Sequence, residues 1–224
     1  MSYQIAIDGP AGAGKSTIAK LVSKELGFVY VDTGAMYRAM ALNCLESGVD
    51  KDDEAGVVSL VSKTDVSIKY IDGEQAVFLN GENVNGRIRT PEVGNVASAI
   101  SVYGEVRKKL VDLQQKLAVS ENVVMDGRDI GSVVLPNADI KVYLDADVEV
   151  RAKRRFDELI AKGEKAEFDT ILAEMKERDY RDMHRDISPL VRVPDAYYVD
   201  SSYMTIEEVK DAIVKGFKEA IKSE

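Results

Sequence analysis

Apolar residues occur along this chain in short runs that are separated by longer segments with helical spacing. The short runs predict buried strands at residues 4–8, 28–32, 122–126, 141–145 and 197–200. Apolar positions three and four apart predict helices at residues 16–26, 35–45, 104–119, 148–161 and 168–183. Strands that alternate with helices are typical of βαβ units. We therefore predict an α/β fold with a parallel sheet flanked by helices on both faces.

Residues 64–95 interrupt this alternation. Period-two patterns at residues 66–70 and 76–79 predict two antiparallel strands, and Asp72-Gly73 between them favours a tight hairpin turn. Residues 80–83 have the composition of a further turn. We therefore predict a core made of residues 1–63 and 96–224, with a small subdomain inserted at residues 64–95.

Two helix starts carry recognisable capping residues. Thr90 precedes Pro91, which predicts a hydroxyl cap followed by proline at the first helical position. Thr205 stands three residues before Glu208, which is the spacing of a capping box. We expect one helix to begin just after each threonine.

The composition is that of an ordinary globular protein, because 45% of its 224 residues are hydrophobic and 31% are charged. The net charge of −9 argues against nucleic acid or an anionic membrane as the main partner, since both need a cationic surface. Cys44 is the only cysteine and His184 the only histidine, which argues against a disulfide, a zinc site or a Ser-His-Asp triad. No apolar run approaches the ~18 residues of a membrane span. We expect a cytoplasmic protein that binds neither nucleic acid nor a membrane.

The segment from Gly9 to Ser16 (GPAGAGKS) matches the phosphate-loop pattern G-x-x-x-x-G-K-[ST] and lies between a predicted strand and a predicted helix. Glycines let consecutive backbone N–H groups face a phosphate, and the helix directs its positive end at the anion. Lys15 adds a cation for the β- and γ-phosphates, and the Ser16 hydroxyl is suited to Mg²⁺. The dinucleotide pattern G-x-G-x-x-G fails because Thr17 stands where its third glycine belongs. We therefore predict binding of a nucleoside triphosphate with magnesium.

Asp126 ends a predicted strand and is a candidate for holding the magnesium ion through a water molecule. A strand-end aspartate could equally do no more than cap the next turn. The chain lacks the Asn-Lys-x-Asp motif of regulatory GTPases and the signature segment of transport ATPases.

Arginine is concentrated in one part of this acidic chain, since seven of twelve arginines lie between residues 128 and 185. One predicted helix carries Arg151, Arg154 and Arg155, and the next presents Arg178, Asp182 and Arg185 on one face. Phosphoryl transfer needs positive charge around the migrating group, and arginine forks suit an acceptor that is itself phosphorylated. The intervening charges, Asp179, Arg181 and Asp186, have the pattern of a solvated face. We therefore predict a phosphotransferase that acts on a phosphorylated acceptor.

Four segments together resemble the bacterial cytidylate kinase family, the CMP and dCMP kinases. They are DGPAGAGKST at residues 8–17, DTGAMYR at 32–38, DGRDIG at 126–131 and RDYRDMHR at 178–185. The set runs in order over essentially the whole chain and is far more specific than the phosphate loop alone. It implies a P-loop NTPase fold similar to that of adenylate kinase, with an acceptor-binding subdomain and a mobile helical lid around residues 150–183. The enlarged acceptor subdomain of this family matches the insertion at residues 64–95.

The resemblance also implies roles for individual residues. The triphosphate is bound by Gly9, Pro10, Ala11, Gly12, Ala13, Gly14, Lys15, Ser16, Thr17, Arg151 and Arg155. The acceptor is bound by Thr33, Arg38, Ser98, Arg107, Arg128, Asp129, Arg178, Asp182 and Arg185. Within that set, Ser98, Arg107 and Asp129 read the cytosine edge, and Arg178 and Asp182 hold the ribose hydroxyls. The catalytic residues are Lys15, Arg128, Arg154 and Arg185. The metal ion is bound by Ser16 and, through water, by Asp126.

The activity implied is direct in-line transfer of the γ-phosphoryl group of ATP to CMP or dCMP, which gives ADP and CDP or dCDP in pyrimidine nucleotide metabolism. ATP is the co-substrate, Mg²⁺ the cofactor, CMP and dCMP are the partners, and we expect a monomer. A carboxylate or hydroxyl suits cytosine because its exocyclic amine is a hydrogen-bond donor. The alternatives are a kinase for another nucleoside monophosphate and a regulatory nucleotide-binding module.

Overall fold

The computed structural model describes residues 2–222. The strands are β1 (Gln4–Asp8), β2 (Val29–Asp32), β3 (Val66–Ile71), β4 (Glu74–Leu79), β5 (Glu82–Asn83), β6 (Val123–Gly127), β7 (Ile140–Asp145) and β8 (Tyr197–Asp200). The helices are α1 (Lys15–Leu26), α2 (Thr33–Glu46), α3 (Glu54–Lys63), α4 (Pro91–Ile100), α5 (Gly104–Ser120), α6 (Val148–Ala161), α7 (Phe168–His184) and α8 (Ile206–Ala220). One further turn, Ile130–Val134, is π-helical.

The chain divides into two compact units. The first contains the residues up to Val29 and from Glu121 onward, and the second spans Tyr30–Ser120. The second unit is wider than the 64–95 subdomain that the sequence predicts. The reason is that α2, α3, α4 and α5 share one hydrophobic core with the predicted hairpin.

The larger sheet has five strands in the order β2-β6-β1-β7-β8. β1 pairs in parallel with β6 and β7, and β7 pairs in parallel with β8. The middle strands are almost fully buried, as expected for parallel strands that helices cover on both faces. In register, Asp8 stands opposite Gly127 and Tyr143. The carboxyl ends of β1, β6 and β7 therefore meet at one edge, where ligands bind in open α/β sheets.

Helices of the first unit pack on this sheet and on each other. α1 contacts β6 and α8, α8 contacts β7 and β8, and α6 packs against α7. Tyr3, Phe28 and Phe217 form an aromatic cluster with ring centroids 5.5 to 6.2 Å apart. The predicted capping box opens α8, with Thr205 accepting a hydrogen bond from Glu208 N while the Glu208 carboxylate accepts one from Thr205 N. These contacts fix the helices around the sheet.

The second unit contains a three-stranded antiparallel sheet in the order β3-β4-β5. The hairpin turn has positive φ angles at both Asp72 (53°) and Gly73 (81°), the geometry that tight hairpins require and that glycine and aspartate adopt most readily. Gln75 on β4 joins the hairpin to the end of β2, since Gln75 Oε1 accepts from Asp32 N at 2.7 Å. The core of the unit lies between α2, α4 and the hairpin, and its most buried side chains include Met36, Met40 and Ile100.

The structure confirms the predicted α/β class, and the predicted strands and helices lie within a few residues of the observed ones. α3 was not predicted, because glycine and β-branched valines in EAGVVSLVSK weaken its helical pattern. β5 occupies residues predicted to form a turn, and the π-helical turn at residues 130–134 has no sequence signal. Within residues 2–222, no helix is both long enough and apolar enough to span a membrane.

Candidate active site

The phosphate loop leaves β1 at the edge where the central strands end. Gly9 has φ 149°, and a Cβ at this position would collide with the carbonyl oxygen of Leu144 on the neighbouring strand. Gly14 has φ 90° and forms the N-terminal cap of α1 with its backbone alone. These two positions need glycine because L side chains rarely adopt such backbone angles. The loop therefore brings its backbone to the N-terminus of α1, where an anion is favoured.

Lys15 is a buried cation at the first position of α1. Its Nζ donates a hydrogen bond to the carbonyl oxygen of Pro10 at 2.7 Å, across the loop. The pKa of Lys15 is lowered to about 7, chiefly by burial and next by the positive charge of Arg128, while the charge of Asp126 opposes the shift. A second cation and a strand-end carboxylate thus act on the same ammonium group.

Ser16 and Asp126 form a pair at the sheet edge. Ser16 Oγ donates a hydrogen bond to Asp126 Oδ2 at 2.9 Å, which joins the start of α1 to β6. Hydroxyl and carboxylate oxygens are hard ligands of the kind that Mg²⁺ prefers. Within residues 2–222 no group of three or more acidic, histidine or cysteine side chains could hold a metal ion alone. The pair fits an ion that keeps waters and is bound chiefly through substrate phosphates.

Three arginines on α6 have three different partners. The Arg151 guanidinium is buried and donates to Ala146 O at 2.8 Å, to Ala11 O at 2.9 Å and to Asp179 Oδ2 at 2.7 Å. Arg154 donates to the carbonyl oxygen of Ser201 at 2.6 Å. The remaining arginine, Arg155, forms an exposed ion pair with Glu158 at 2.8 Å. Only Arg151 therefore contacts the phosphate loop directly.

Asp182 is a buried carboxylate with partly buried arginines near it. Asp182 Oδ2 accepts a hydrogen bond from Arg128 Nε at 2.8 Å. Burial raises the pKa of Asp182, but Arg128, Arg178 and Arg185 lower it more, so the net shift is downward. In the same way burial opposes the charge of Arg128, yet Asp182 raises its pKa overall. Arg128 is therefore hydrogen-bonded to the carboxylate that the sequence places between Arg178 and Arg185 on α7.

Asp129 and Arg185 lie close together and are both buried. Arg185 Nη2 is 4.0 Å from Asp129 Oδ1, and Arg185 Nε donates to Ser188 O at 2.7 Å. Arg185 follows the last residue of α7, so it serves as the C-terminal cap residue of the helix. Its side chain thus connects the end of α7 with the segment that carries Asp129.

Asp179 corrects the expectation of a solvated face on α7. Its side chain is 12% exposed and pairs with Arg151, and its Oδ1 atom is buried without a hydrogen-bond partner. The helical position of Asp179 next to Arg178 gave no signal of burial, because charged neighbours in sequence point to different sides of a helix. The structure assigns this aspartate to the contact between α6 and α7.

Asp8 is a buried carboxylate that the sequence analysis did not single out. It accepts hydrogen bonds from Ile130 N and Gly131 N, each at 2.7 Å. Burial raises the pKa of Asp8 to about 6, whereas the two backbone bonds and the charge of Lys15 oppose the rise. The sequence gives no signal for these contacts because they depend on the register between β1 and β6.

The second unit holds the other residues predicted for the acceptor. Thr33 is buried at the start of α2, and Arg38 one turn later donates to Ile88 O at 3.4 Å. Arg107 is buried, donates to Ser101 O at 3.1 Å and lies 5.7 Å from the Tyr37 ring. Ser98 is half-buried near the end of α4. These side chains are distributed over α2, α4 and α5.

Comparison with solved structures concerns the fold of the chain. Two solved structures with TM-scores of 0.50 are similar in fold over almost the whole chain. A shikimate kinase from Acinetobacter baumannii is 17% identical and covers 98% of this chain and 94% of its own. A gluconokinase from Sinorhizobium meliloti is 12% identical and covers 99% of this chain and 94% of its own. At such low identity these likenesses concern the fold alone.

Sequence relatives are much closer. The cytidylate kinase from Caldicellulosiruptor bescii is 49% identical over 98% of this chain and 97% of its own length. Those from Ligilactobacillus salivarius and Pasteurella multocida are each 48% identical and cover 96% and 92% of this chain and 96% and 90% of their own. The sequence model of the family described as cytidylate kinase matches residues 5–219. This chain therefore belongs to the cytidylate kinase family.

Proposed function

We propose that this chain transfers the γ-phosphoryl group of ATP to CMP or dCMP, giving ADP and CDP or dCDP. Membership of the family supports this reaction. The observation that carries it is a group of cations at the phosphate loop: Lys15, whose Nζ donates to Pro10 O at 2.7 Å, and the nearby guanidinium groups of Arg128 and Arg178. Phosphoryl transfer is catalysed mainly by such fixed positive charge, because charge spreads over the oxygens of the migrating group.

The phosphate loop, residues 9–17, is the proposed binding site for the triphosphate. Backbone N–H groups of the loop bind the phosphates, and the N-terminus of α1 stabilises their charge. Ser16 and, through water, Asp126 would hold Mg²⁺, which when bound would neutralise charge on the phosphate oxygens. Arg151 and Arg155 are the proposed triphosphate ligands on α6, and the bond from Arg151 to Ala11 O supports the first of these assignments.

Transfer needs no strong general base, because the acceptor phosphate is already an anion. Lys15, Arg128, Arg154 and Arg185 are the proposed catalytic residues, and each supplies positive charge to the reacting phosphates. The partly buried ion pair between Arg128 and Asp182 fixes one guanidinium in place before substrate binds. Such fixed donors cost no reorganisation during the reaction.

The proposed ligands of the acceptor nucleotide are those that the resemblance implies. They are Thr33, Arg38, Ser98, Arg107, Arg128, Asp129, Arg178, Asp182 and Arg185. The carboxylate of Asp129 is suited to the exocyclic amine of cytosine, which donates a hydrogen bond where uracil offers an acceptor. Loss of such a bond discriminates strongly between related substrates, because the unpaired group stays buried.

A panel of acceptors tests the proposal. We would measure ADP release in a coupled assay with CMP, dCMP, UMP, AMP and shikimate, with wild-type protein and Lys15→Ala. We expect turnover with CMP and dCMP, and loss of about two orders of magnitude or more in Lys15→Ala. A near-wild-type rate for the variant would contradict the role of Lys15.

The same panel separates the alternative functions. Preference for another monophosphate would establish a kinase with a different acceptor. Slow hydrolysis of ATP that is indifferent to every acceptor would instead favour a regulatory module.

We also propose that the protein acts as a monomer in the cytoplasm. Light scattering at micromolar concentration should give a mass near the 24.6 kDa of one chain, and a mass twice as large would contradict the monomer. Fractionation of the source cells should recover the activity in the cytosol.

A further inference from the structure

The π-helical turn Ile130–Val134 begins with an aspartate that does not cap it. Asp129 occupies the N-terminal cap position, yet its side chain makes no capping hydrogen bond. Aspartate at this position normally accepts hydrogen bonds from the first free backbone N–H groups of the helix. Another group must therefore satisfy those donors, since buried N–H groups are rarely left unpaired.

That other group is Asp8, from the end of a different strand. Each of its carboxylate oxygens accepts one backbone hydrogen bond, Oδ1 from Ile130 N and Oδ2 from Gly131 N, both at 2.7 Å. The turn is thus capped from β1 rather than by the residue that precedes it. The Asp129 carboxylate is directed elsewhere and lies 4.0 Å from the guanidinium of Arg185.

We propose that Asp8 is a positioning residue for pyrimidine recognition: it caps the turn in place of Asp129, so that the Asp129 carboxylate is directed to the acceptor base and not to the turn. The inference rests on the proposed function, in which the Asp129 carboxylate accepts a hydrogen bond from the exocyclic amino group of cytosine. It also connects the base-reading segment directly to the strand that carries the phosphate loop.

The electrostatics agree with a carboxylate that is held for these two bonds. Burial raises the pKa of Asp8 to about 6, and the N–H groups of Gly131 and Ile130 restrain the rise. The charged groups that act on it are Asp129, which disfavours its ionisation, and Lys15, which favours it. Tyr143 on β7 stands opposite in register. At pH 7.5 Asp8 is therefore ionised and can accept both bonds.

Replacement of Asp8 by asparagine removes one acceptor and adds a donor. The amide oxygen can still accept one backbone bond, but the NH₂ group then faces a second N–H group that has lost its partner. Asp129 occupies the ordinary cap position of the turn and can then cap that group. If the Asp129 carboxylate caps the turn, it can no longer accept a hydrogen bond from the cytosine base.

The experiment compares Asp8→Asn with wild type at pH 7.5, using CMP and UMP as acceptors. We expect the ratio of kcat/KM for CMP over UMP to fall by about tenfold or more, with KM for ATP changed by less than about threefold. The double variant Asp8→Asn/Asp129→Asn should discriminate no worse than Asp129→Asn, because both changes remove the same interaction. An unchanged ratio in folded Asp8→Asn, or additive losses, would overturn the proposal.

Asp139→Asn is the matched control. Asp139 Oδ2 also accepts a backbone bond from β1, from Gln4 N at 2.6 Å, but at the opposite end of the strand. The same chemical change at Asp139 should leave the ratio of kcat/KM for CMP over UMP within about twofold of the wild-type ratio. A drop as large as that of Asp8→Asn would mean that any weakening of β1 causes the effect, and would also overturn the proposal.

If Asp8→Asn does not fold, a measurement on the wild-type protein tests the same proposal. Protonation of Asp8 removes one acceptor, so the CMP to UMP ratio should fall as pH decreases through about 6. The 5′-phosphate titrates alike in both substrates and cancels in the ratio. NMR should show the Asp8 carboxyl carbon and the amide protons of Ile130 and Gly131 titrating with the same midpoint. A flat ratio between pH 8 and 5, or amide protons that do not follow Asp8, would refute the inference.

The outcomes also distinguish this inference from the proposed function. If wild type prefers CMP and Asp129→Asn loses that preference, the function stands whatever Asp8→Asn does. If wild type shows no preference for CMP, the proposed function itself fails.

Discussion

Lys15 and Asp8 are charged residues that this fold keeps buried within one phosphate loop and its strand. The pKa of Lys15 is lowered from 10.5 to about 7, chiefly by burial, so the folded protein binds fewer protons than the unfolded chain between these values. Stability due to Lys15 therefore rises with pH across that window. Burial raises the pKa of Asp8 from 3.8 to about 6, so stability due to Asp8 falls as pH rises between these values. Both residues in their charged forms oppose folding, which is typical of residues retained for function.

The lowered pKa of Lys15 predicts that ATP binding takes up a proton. At pH 8 most of the unliganded protein carries a neutral Lys15, and a bound triphosphate favours the ammonium form. Calorimetry in buffers with different ionisation enthalpies should show uptake of roughly one proton at pH 8 and little at pH 6. If Lys15→Ala takes up as many protons as wild type when it binds ATP at pH 8, the proton is bound by another group.

Individual residues also show which parts of the site could be predicted from the sequence alone. Ser16 and Asp126 follow from a phosphate-loop motif and a strand end, and their side chains do meet at 2.9 Å. Asp8 and Asp179 could not be assigned, because their partners lie far away in sequence. Asp8 meets the turn after β6 through strand register, and Asp179 meets Arg151 through the packing of two helices. A motif reports residue types that a ligand requires, whereas these contacts depend on tertiary structure.

Among the helices, α6 and α7 are joined to the phosphate loop through one buried side chain. Arg151 makes hydrogen bonds to a loop carbonyl, a strand-end carbonyl and Asp179. Removal of one partner from a buried ion pair leaves an uncompensated charge, which costs more than loss of an exposed pair. The pair therefore stabilises the attachment of α7, which carries Arg178 and Asp182.

Asp179→Asn should consequently lower the free energy of unfolding by about 3 kcal/mol. Asp186→Asn is the control, because Asp186 is an exposed acid just beyond the same helix and should change stability by less than about 0.5 kcal/mol. Urea unfolding at pH 7.5 measures both values. Equal effects of the two substitutions would show that the Arg151 pair contributes no more than a surface charge.

The predictability of an element follows the clarity of its local signals. The strand of β1 and the capped start of α8 have strong signals, and both lie where the sequence predicts them. α3 was missed because its glycine and valines resemble a strand as much as a helix. The turn Ile130–Val134 was missed because its cap comes from Asp8 and not from its own sequence.

For the molecule as a whole, the net charge of −9 contrasts with ligands that are all anions. The positive charge that function needs is concentrated at Lys15 and in the arginine cluster around Asp182. Local potentials of this kind are sufficient for a small anion, whereas an extended polyanion would meet acidic surface. The charge balance therefore agrees with nucleotide substrates.

Binding of ATP should raise the melting temperature of the entire protein, and more so with magnesium. At a hundredfold excess over Kd the stabilisation is about 2.7 kcal/mol, which corresponds to about 5–10 °C for a chain of this length. EDTA should remove a large part of this shift in wild type, but little in Asp126→Asn. Asp139→Asn serves again as the control and should respond as wild type does. Identical shifts with and without EDTA in wild type would argue against the Ser16–Asp126 metal site.

The insertion of the second unit has a consequence for how the protein folds during synthesis. β1 precedes its partners by a long stretch of chain, because β6 and β7 begin only at Val123 and Ile140. Residues 30–120, with their own hydrophobic core, leave the ribosome in between. The apolar β1 must therefore wait unpaired while a complete second unit folds, and contacts so distant in sequence form slowly. The chain is consequently most exposed to aggregation until β6 and β7 have been synthesised, and its central sheet closes after the second unit has formed.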